Sequence, residues 1–174
     1  MEDLIVIDES GANLAMTRNY GRIATNQRLH CPRPYHRGNK YSIISAISLK
    51  KIVASIYCEN SIDGEFFSGF VKTCLVPELG PQHTIIMDNV AFHKIKAVEE
   101  IIKETGAKII YLPPYSPDLS PIELMWSKIK SVLRKYGART AETFQQAIHA
   151  GFTSITSSDL FGWFKHCGYK IKYL

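Results

Sequence analysis

The sequence predicts a single α/β domain built on a mixed five-stranded sheet flanked by helices. Three observations predict it. Short β-branched runs at Leu4–Ile7, Thr84–Met87 and Lys108–Leu112 alternate with stretches whose apolar residues recur at helical spacing. Two runs rich in Ile, Val, Ser and Tyr, Tyr41–Leu49 and Lys51–Tyr57, stand almost back to back and predict a tight antiparallel hairpin. The length, 174 residues, suits one domain, and a chain of this size buries roughly 70% of the surface its unfolded form exposes. Leading antiparallel strands followed by strand–helix alternation give a mixed sheet with helices on its faces.

The elements follow in order. Leu4–Ile7 is a strand running into a turn at Asp8-Glu9-Ser10-Gly11. Residues 12–40 hold Gly21, Pro32, Pro34 and Gly38 among scattered arginines and predict an irregular excursion with room for a short strand. After the hairpin, Phe66, Phe67, Phe70, Val71 and Leu75 recur at helical spacing, so Asp63–Leu75 is a helix. Thr84–Met87 is a buried strand closed by Asp88-Asn89. Lys94–Glu104 places Ile95, Val98, Ile101 and Ile102 on one helical stripe, with Gly106 as the stop. Lys108–Leu112 is the last strand, broken by Pro113-Pro114. A strong helix runs from Ser120 to Tyr136 and ends at Gly137, and a further one covers Thr140–Thr153. The tail containing Trp163 carries no clear signal.

Composition excludes several classes. With 45% hydrophobic and 21% charged residues the chain is neither disordered nor fibrous. No run approaches the ~20 apolar residues of a bilayer span, and no signal segment opens the chain. Cys31, Cys58, Cys74 and Cys167 include no CxxC pair, which argues against a zinc ribbon and fits a reducing cytoplasm. Neither GxGxxG nor GxxxxGK[ST] occurs. The net charge of +5 is unevenly spread: residues 10–58 hold eight bases and no acid, whereas residues 59–104 hold eight acids against four lysines. The basic stretch, with Arg18, Arg22, Arg28, Arg33, Arg37 and Lys40, has the character of a phosphate-contacting surface, because Arg forks onto phosphate oxygens. A solvated loop whose counter-charges lie elsewhere in the fold is the plainer explanation.

Three acids stand at the ends of apolar segments. Asp8 follows Ile5-Val6-Ile7, Asp88 follows Ile85-Ile86-Met87, and Glu123 falls in the first turn of the helix after the last strand. A carboxylate at the C-terminal end of a strand is held rigidly yet opens into the crevice where α/β sheets bind ligands. Three of them could converge on hard divalent cations, which take oxygen ligands. Asp8 and Asp88 are equally ordinary turn residues. Ser120-Pro121-Ile122-Glu123 matches a capping box, and spacing alone favours that role for Glu123. Against it, Glu123 lies opposite the apolar stripe of Ile122, Met125, Trp126, Ile129, Leu133 and Tyr136, on a face with Ser127, Lys130 and Arg134. In a strand, neighbouring side chains face opposite ways, so Glu9 should not share a site with Asp8.

The segments Ile7-Asp8-Glu9-Ser10-Gly11, Met87-Asp88-Asn89-Val90-Ala91-Phe92-His93 and Tyr111-Leu112-Pro113-Pro114-Tyr115-Ser116-Pro117-Asp118-Leu119-Ser120-Pro121-Ile122-Glu123 resemble the catalytic domain of DDE transposases. The resemblance is to the bacterial insertion-sequence members of the mariner superfamily, in which the 34 residues between Asp88 and Glu123 are the expected spacing of the second and third acids. It covers about residues 4–136. It implies a ribonuclease H-like fold with Asp8, Asp88 and Glu123 as catalytic and metal-binding triad for Mg²⁺ or Mn²⁺, two ions together. It gives Asp118 no catalytic role.

The implied reaction is hydrolysis of a phosphodiester at a transposon end, followed by attack of the freed 3′-hydroxyl on target DNA. Asn89 and His93 belong to the family string and are expected to contact DNA, together with Lys130, Arg134 and the basic stretch. The implied partner is double-stranded DNA, the implied assembly a homodimer and the implied location the prokaryotic cytoplasm, at the nucleoid. The expected organisation is one catalytic domain over residues 1–174, with a core about 4–136 and a helical extension about 140–174. The family's upstream helix-turn-helix modules have no counterpart in the chain, which leaves three expectations: a truncated piece, one half of a pair whose recognition half is separately encoded, or a decayed copy. The rival reading is an inactive DNA-binding or dimerising remnant that regulates a full-length transposase. A nuclease acting on RNA or hybrids is disfavoured by the 34-residue spacing and the proline-rich string.

Overall fold

The structure, a computed structural model, describes residues 3–89 and 96–170. Five strands, β1 (Leu4–Asn13), β2 (Lys40–Ser48), β3 (Ile52–Glu59), β4 (Thr84–Met87) and β5 (Lys108–Tyr111), form one sheet in the order β3-β2-β1-β4-β5. β1 pairs antiparallel with β2, and β2 with β3; β4 lies parallel to both β1 and β5. This is the mixed sheet expected from the pattern of runs.

Alternation along β1 explains the layers. Ile5 and Ile7 face one side, where they pack with Phe67 and Phe70 of α1 (Gly64–Phe70) and Val98 and Ile102 of α2 (Lys96–Glu104). Val6 faces the other side, against Met125, Trp126 and Ile129 of α3 (Pro121–Tyr136). Phe144 of α4 (Ala141–Thr153) and Phe164 of α5 (Ser157–His166) close that second core. With both faces covered, β4 reads as a continuous apolar run rather than an alternating one.

Local chemistry sets the ends of the elements. Asp63 caps α1 by accepting from the Phe66 N–H, and Val71–Leu75 continues the helix as a wider, π-type turn. Gly137 ends α3 at φ +60, a left-handed conformation that suits glycine, with its N–H on the Leu133 carbonyl. The first residues of the helix expected over 94–104 lie outside the described residues.

Three expectations are corrected. β1 does not turn at Asp8–Gly11 but runs to Asn13, because β2 is long enough to pair with it from Ser48 to Lys40. No strand occurs in the excursion between β1 and β2. The tail around Trp163 is ordered as α5, whose Thr156 and Asp159 form a reciprocal capping box.

Candidate active site

β1 and β4 are in register at Val6 and Ile86, after which β1 goes on with β2 alone. The sheet therefore opens between its two central strands just where Asp8 and Asp88 stand, each two residues past that last pair. Both share the parity of Val6 and Ile86 and so face the layer that contains α3. Glu123, in the first turn of α3, stands across the gap.

The outcome is a cleft of about 430 Å³ lined by Asp8, Asp88, Asn89 and Glu123 on one side and by the loop from Leu112 to Pro117 on the other. Glu9 and Asp118 are not among its walls. His93 lies outside the described residues.

Burial dominates the electrostatics. It pushes the Asp8 carboxyl up from its ordinary 3.8 to about 7; the neighbouring charge of Glu9 adds to the rise, and that of Glu123 adds a little more. Opposing them, the Trp126 indole N–H donates to Asp8 Oδ2 at 2.9 Å. Sequence reading placed Trp126 only on the apolar stripe. Its one polar atom, three residues beyond Glu123 on a helix packed over Asp8, is the signal that could have found this bond.

The capping box expected at Ser120 and Glu123 does not form. Ser120 stands at the N-cap, but its side chain makes no cap hydrogen bond. The Glu123 N–H, which the Ser120 side chain would receive in such a box, donates instead to the Ser120 backbone carbonyl at 3.1 Å. Glu123 is exposed on the cleft instead.

The donor set fits a hard divalent cation: three carboxylates on one cleft, one of them buried enough that a cation would relieve its charge. The side chains are not drawn to a single point, however. Among the described residues no three His, Cys, Asp or Glu side chains are grouped so as to hold an ion.

Further along β1 and α3 a second hollow, about 570 Å³, gathers Arg33 and Arg37 from the excursion with Lys130 and Arg134 from α3. Arg37 and Lys40 also border a smaller adjoining hollow. Arg18, Arg22 and Arg28 are exposed and line neither. Arg139, not singled out in the sequence, anchors the start of the excursion: its Nη1 donates to the carbonyls of Leu14 at 2.8 Å and Met16 at 3.2 Å.

The comparisons agree with this picture. The mixed sheet with its flanking helices is the ribonuclease H-like fold of the catalytic domain of Mos1 mariner transposase, which superposes with a TM-score of 0.70 at 11% identity over 95% of this chain and 77% of that one. A pre-cleavage Mos1 transpososome gives 0.75 at 13% identity, over 99% of this chain and 57% of that chain. A Mos1 paired-end complex with the left transposon end gives 0.78 at 12%, over 95% and 52%. The chain thus spans about half the length of the transposase chains in those two complexes. Comparison with curated proteins gives no match. The family model of the DDE superfamily endonucleases matches residues 3–146, which include all three cleft acids, and the chain belongs to that family.

Proposed function

We propose that this chain is the catalytic domain of a transposase of the bacterial insertion-sequence branch of the mariner superfamily, a divalent-metal-dependent DNA endonuclease and strand transferase. One observation carries the reading: acids from three separate elements line a single cleft, and a groove with four cationic side chains lies beyond it on the same strand and helix. The branch rests on the ordered string from Tyr111 to Glu123 and its distance from Asp88.

Asp8, Asp88 and Glu123 would hold Mg²⁺ or Mn²⁺, two ions together; Mos1 paired-end complexes are known with Mn and with Mg. When bound, such ions supply activation of the attacking water or 3′-hydroxyl and charge stabilisation at the leaving oxygen. The protein does the rest. Trp126 fixes one oxygen of Asp8, Asn89 offers a donor at the cleft wall, and the basic groove holds the backbone leading to the scissile bond.

Double-stranded DNA is the proposed substrate and a homodimer the proposed working unit; Mos1 transposase is known in a paired-end complex with the left transposon end. Recognition of the transposon ends is assigned, on the same proposal, to a separately encoded half. Among the described residues no helix is long and apolar enough to cross a membrane, and the proposed place of action is the cytoplasmic nucleoid.

A second reading, the inactive DNA-binding remnant, draws support from the ungrouped acids. Incubation with Mg²⁺ or Mn²⁺ and labelled DNA bearing the element's ends separates the two. Wild type should nick at the end, and Asp88→Ala should bind the same DNA without cutting it. Cleavage that persists in Asp88→Ala overturns the acid assignment, and a wild type that binds but never cuts establishes the remnant.

A further inference from the structure

Tyr115 is the one bulky residue with a left-handed backbone among the described residues, at φ +57; the other two non-glycine positions with positive φ are Asn26 and Asn60, a type that tolerates it. Its side chain is fully exposed, at 102%, and makes no hydrogen bond or ring contact among the described residues. It also lines the acid cleft. A strained tyrosine that is fully exposed is not explained by packing; strain of this kind persists where the surroundings impose it, and it is enriched at ligand-contacting sites.

The surroundings do impose it. Pro113, Pro114 and Pro117 fix the backbone on both sides of Tyr115. The loop is pinned at its start by the Leu112 N–H on the Met87 carbonyl at 2.9 Å. At its far end the Tyr169 hydroxyl donates to the Leu119 carbonyl at 2.9 Å. A stiff loop thus presents an aromatic ring to solvent at the edge of the cleft. Two other tyrosines are about as exposed, Tyr20 at 91% and Tyr35 at 94%, but both lie in the excursion, away from the cleft, on ordinary backbone.

We propose that Tyr115 is a stacking platform for an unpaired nucleobase next to the scissile phosphate. Resting on the DNA reading above, this assigns the cleft a preference for DNA whose end is frayed or single-stranded. A narrow cleft reaches a phosphate more easily when the adjacent base has left its stack, and a base so exposed is stabilised by an aromatic face whatever its sequence.

The test compares wild type, Tyr115→Phe and Tyr115→Asn on two labelled duplexes of equal paired length, one blunt and one with a three-nucleotide unpaired end carrying 2-aminopurine. Asn accepts the left-handed backbone, so that variant removes the ring without adding strain. Wild type and Tyr115→Phe should favour the unpaired end by about 10-fold or more and quench the 2-aminopurine. Tyr115→Asn should lose the preference and the quenching while binding the blunt duplex like wild type. A preference retained in Tyr115→Asn overturns the platform and leaves the DNA reading intact, as does wild type that binds both duplexes equally. Wild type that binds neither overturns both.

Discussion

Trp126 does two jobs with one side chain. Its ring fills the core under the sheet, 2% exposed, and its indole N–H donates to Asp8. Trp126→Phe should keep most of the packing and leave a half-buried carboxylate oxygen without its donor. We expect a loss of about 1–3 kcal/mol in urea unfolding measured in chelator, from the lost hydrogen bond and a small cavity together. A loss under about 0.5 kcal/mol would show that water replaces the indole at no cost. At this scale the sequence exposed the acids better than their surroundings. Asp8 and Asp88 stood out because each directly follows an apolar run, and Glu123 because it opens the helix after the last strand. Tyr115 and Trp126 were not, since an exposed aromatic in a proline-rich loop and an aromatic on a helical stripe are ordinary features until the cleft is seen between them.

The elements were legible where a single local rule governs them. β4 and α3 follow from a β-branched run and from a Pro at one end and a Gly at the other. β1 outran its apolar run because a partner strand, not local propensity, sets its length. α5 was hidden because its ten residues bury only Leu160 and Phe164, too sparse a stripe to read as a period. Besides that burial, an ion pair and a cap hold it. Asp159 caps it through Thr156 and accepts from Lys128 of α3 at 2.6 Å. The Lys128 hydrogen bond, followed by those from Thr156, holds the Asp159 carboxyl down at about 2 against its ordinary 3.8. The folded state therefore releases this proton more readily than the unfolded chain. The stabilisation is complete above pH about 4 and is lost as pH falls through about 4 towards 2. Because the pair is partly in solvent, Asp159→Asn, which can still cap, should cost about 1 kcal/mol at pH 7. That difference should shrink steadily as pH falls through about 4 and vanish only below about 2. A cost unchanged across this range would mean that Lys128 contributes nothing.

For the whole molecule, β1 and α3 each run from the acid cleft to the basic groove. From Glu123 to Arg134 is eleven residues along α3, about 16 Å at the helical rise, or roughly five phosphates of one strand at about 3.4 Å each. The cations lie on the exposed side of the same helix whose buried side carries Trp126, so one element sets the distance between cutting centre and backbone grip. The groove could not be read from charge alone, because Arg33 and Arg37 are nearly a hundred residues from Lys130 and only the folded excursion, anchored by Arg139, brings them over α3. On the proposed function the four act as phosphate contacts, and their contribution is release of counterions rather than base recognition. Lys130→Ala and Arg134→Ala should each weaken binding equally for any DNA sequence and flatten the slope of log K against log salt by about one. Arg22→Ala and Arg28→Ala, whose side chains line neither hollow, should leave that slope unchanged. The measurement is a salt titration of each variant on a random-sequence duplex. If the Arg22 and Arg28 variants flatten the slope and those of the α3 cations do not, DNA lies along the exposed excursion, and the acid cleft must then receive its phosphate from that direction.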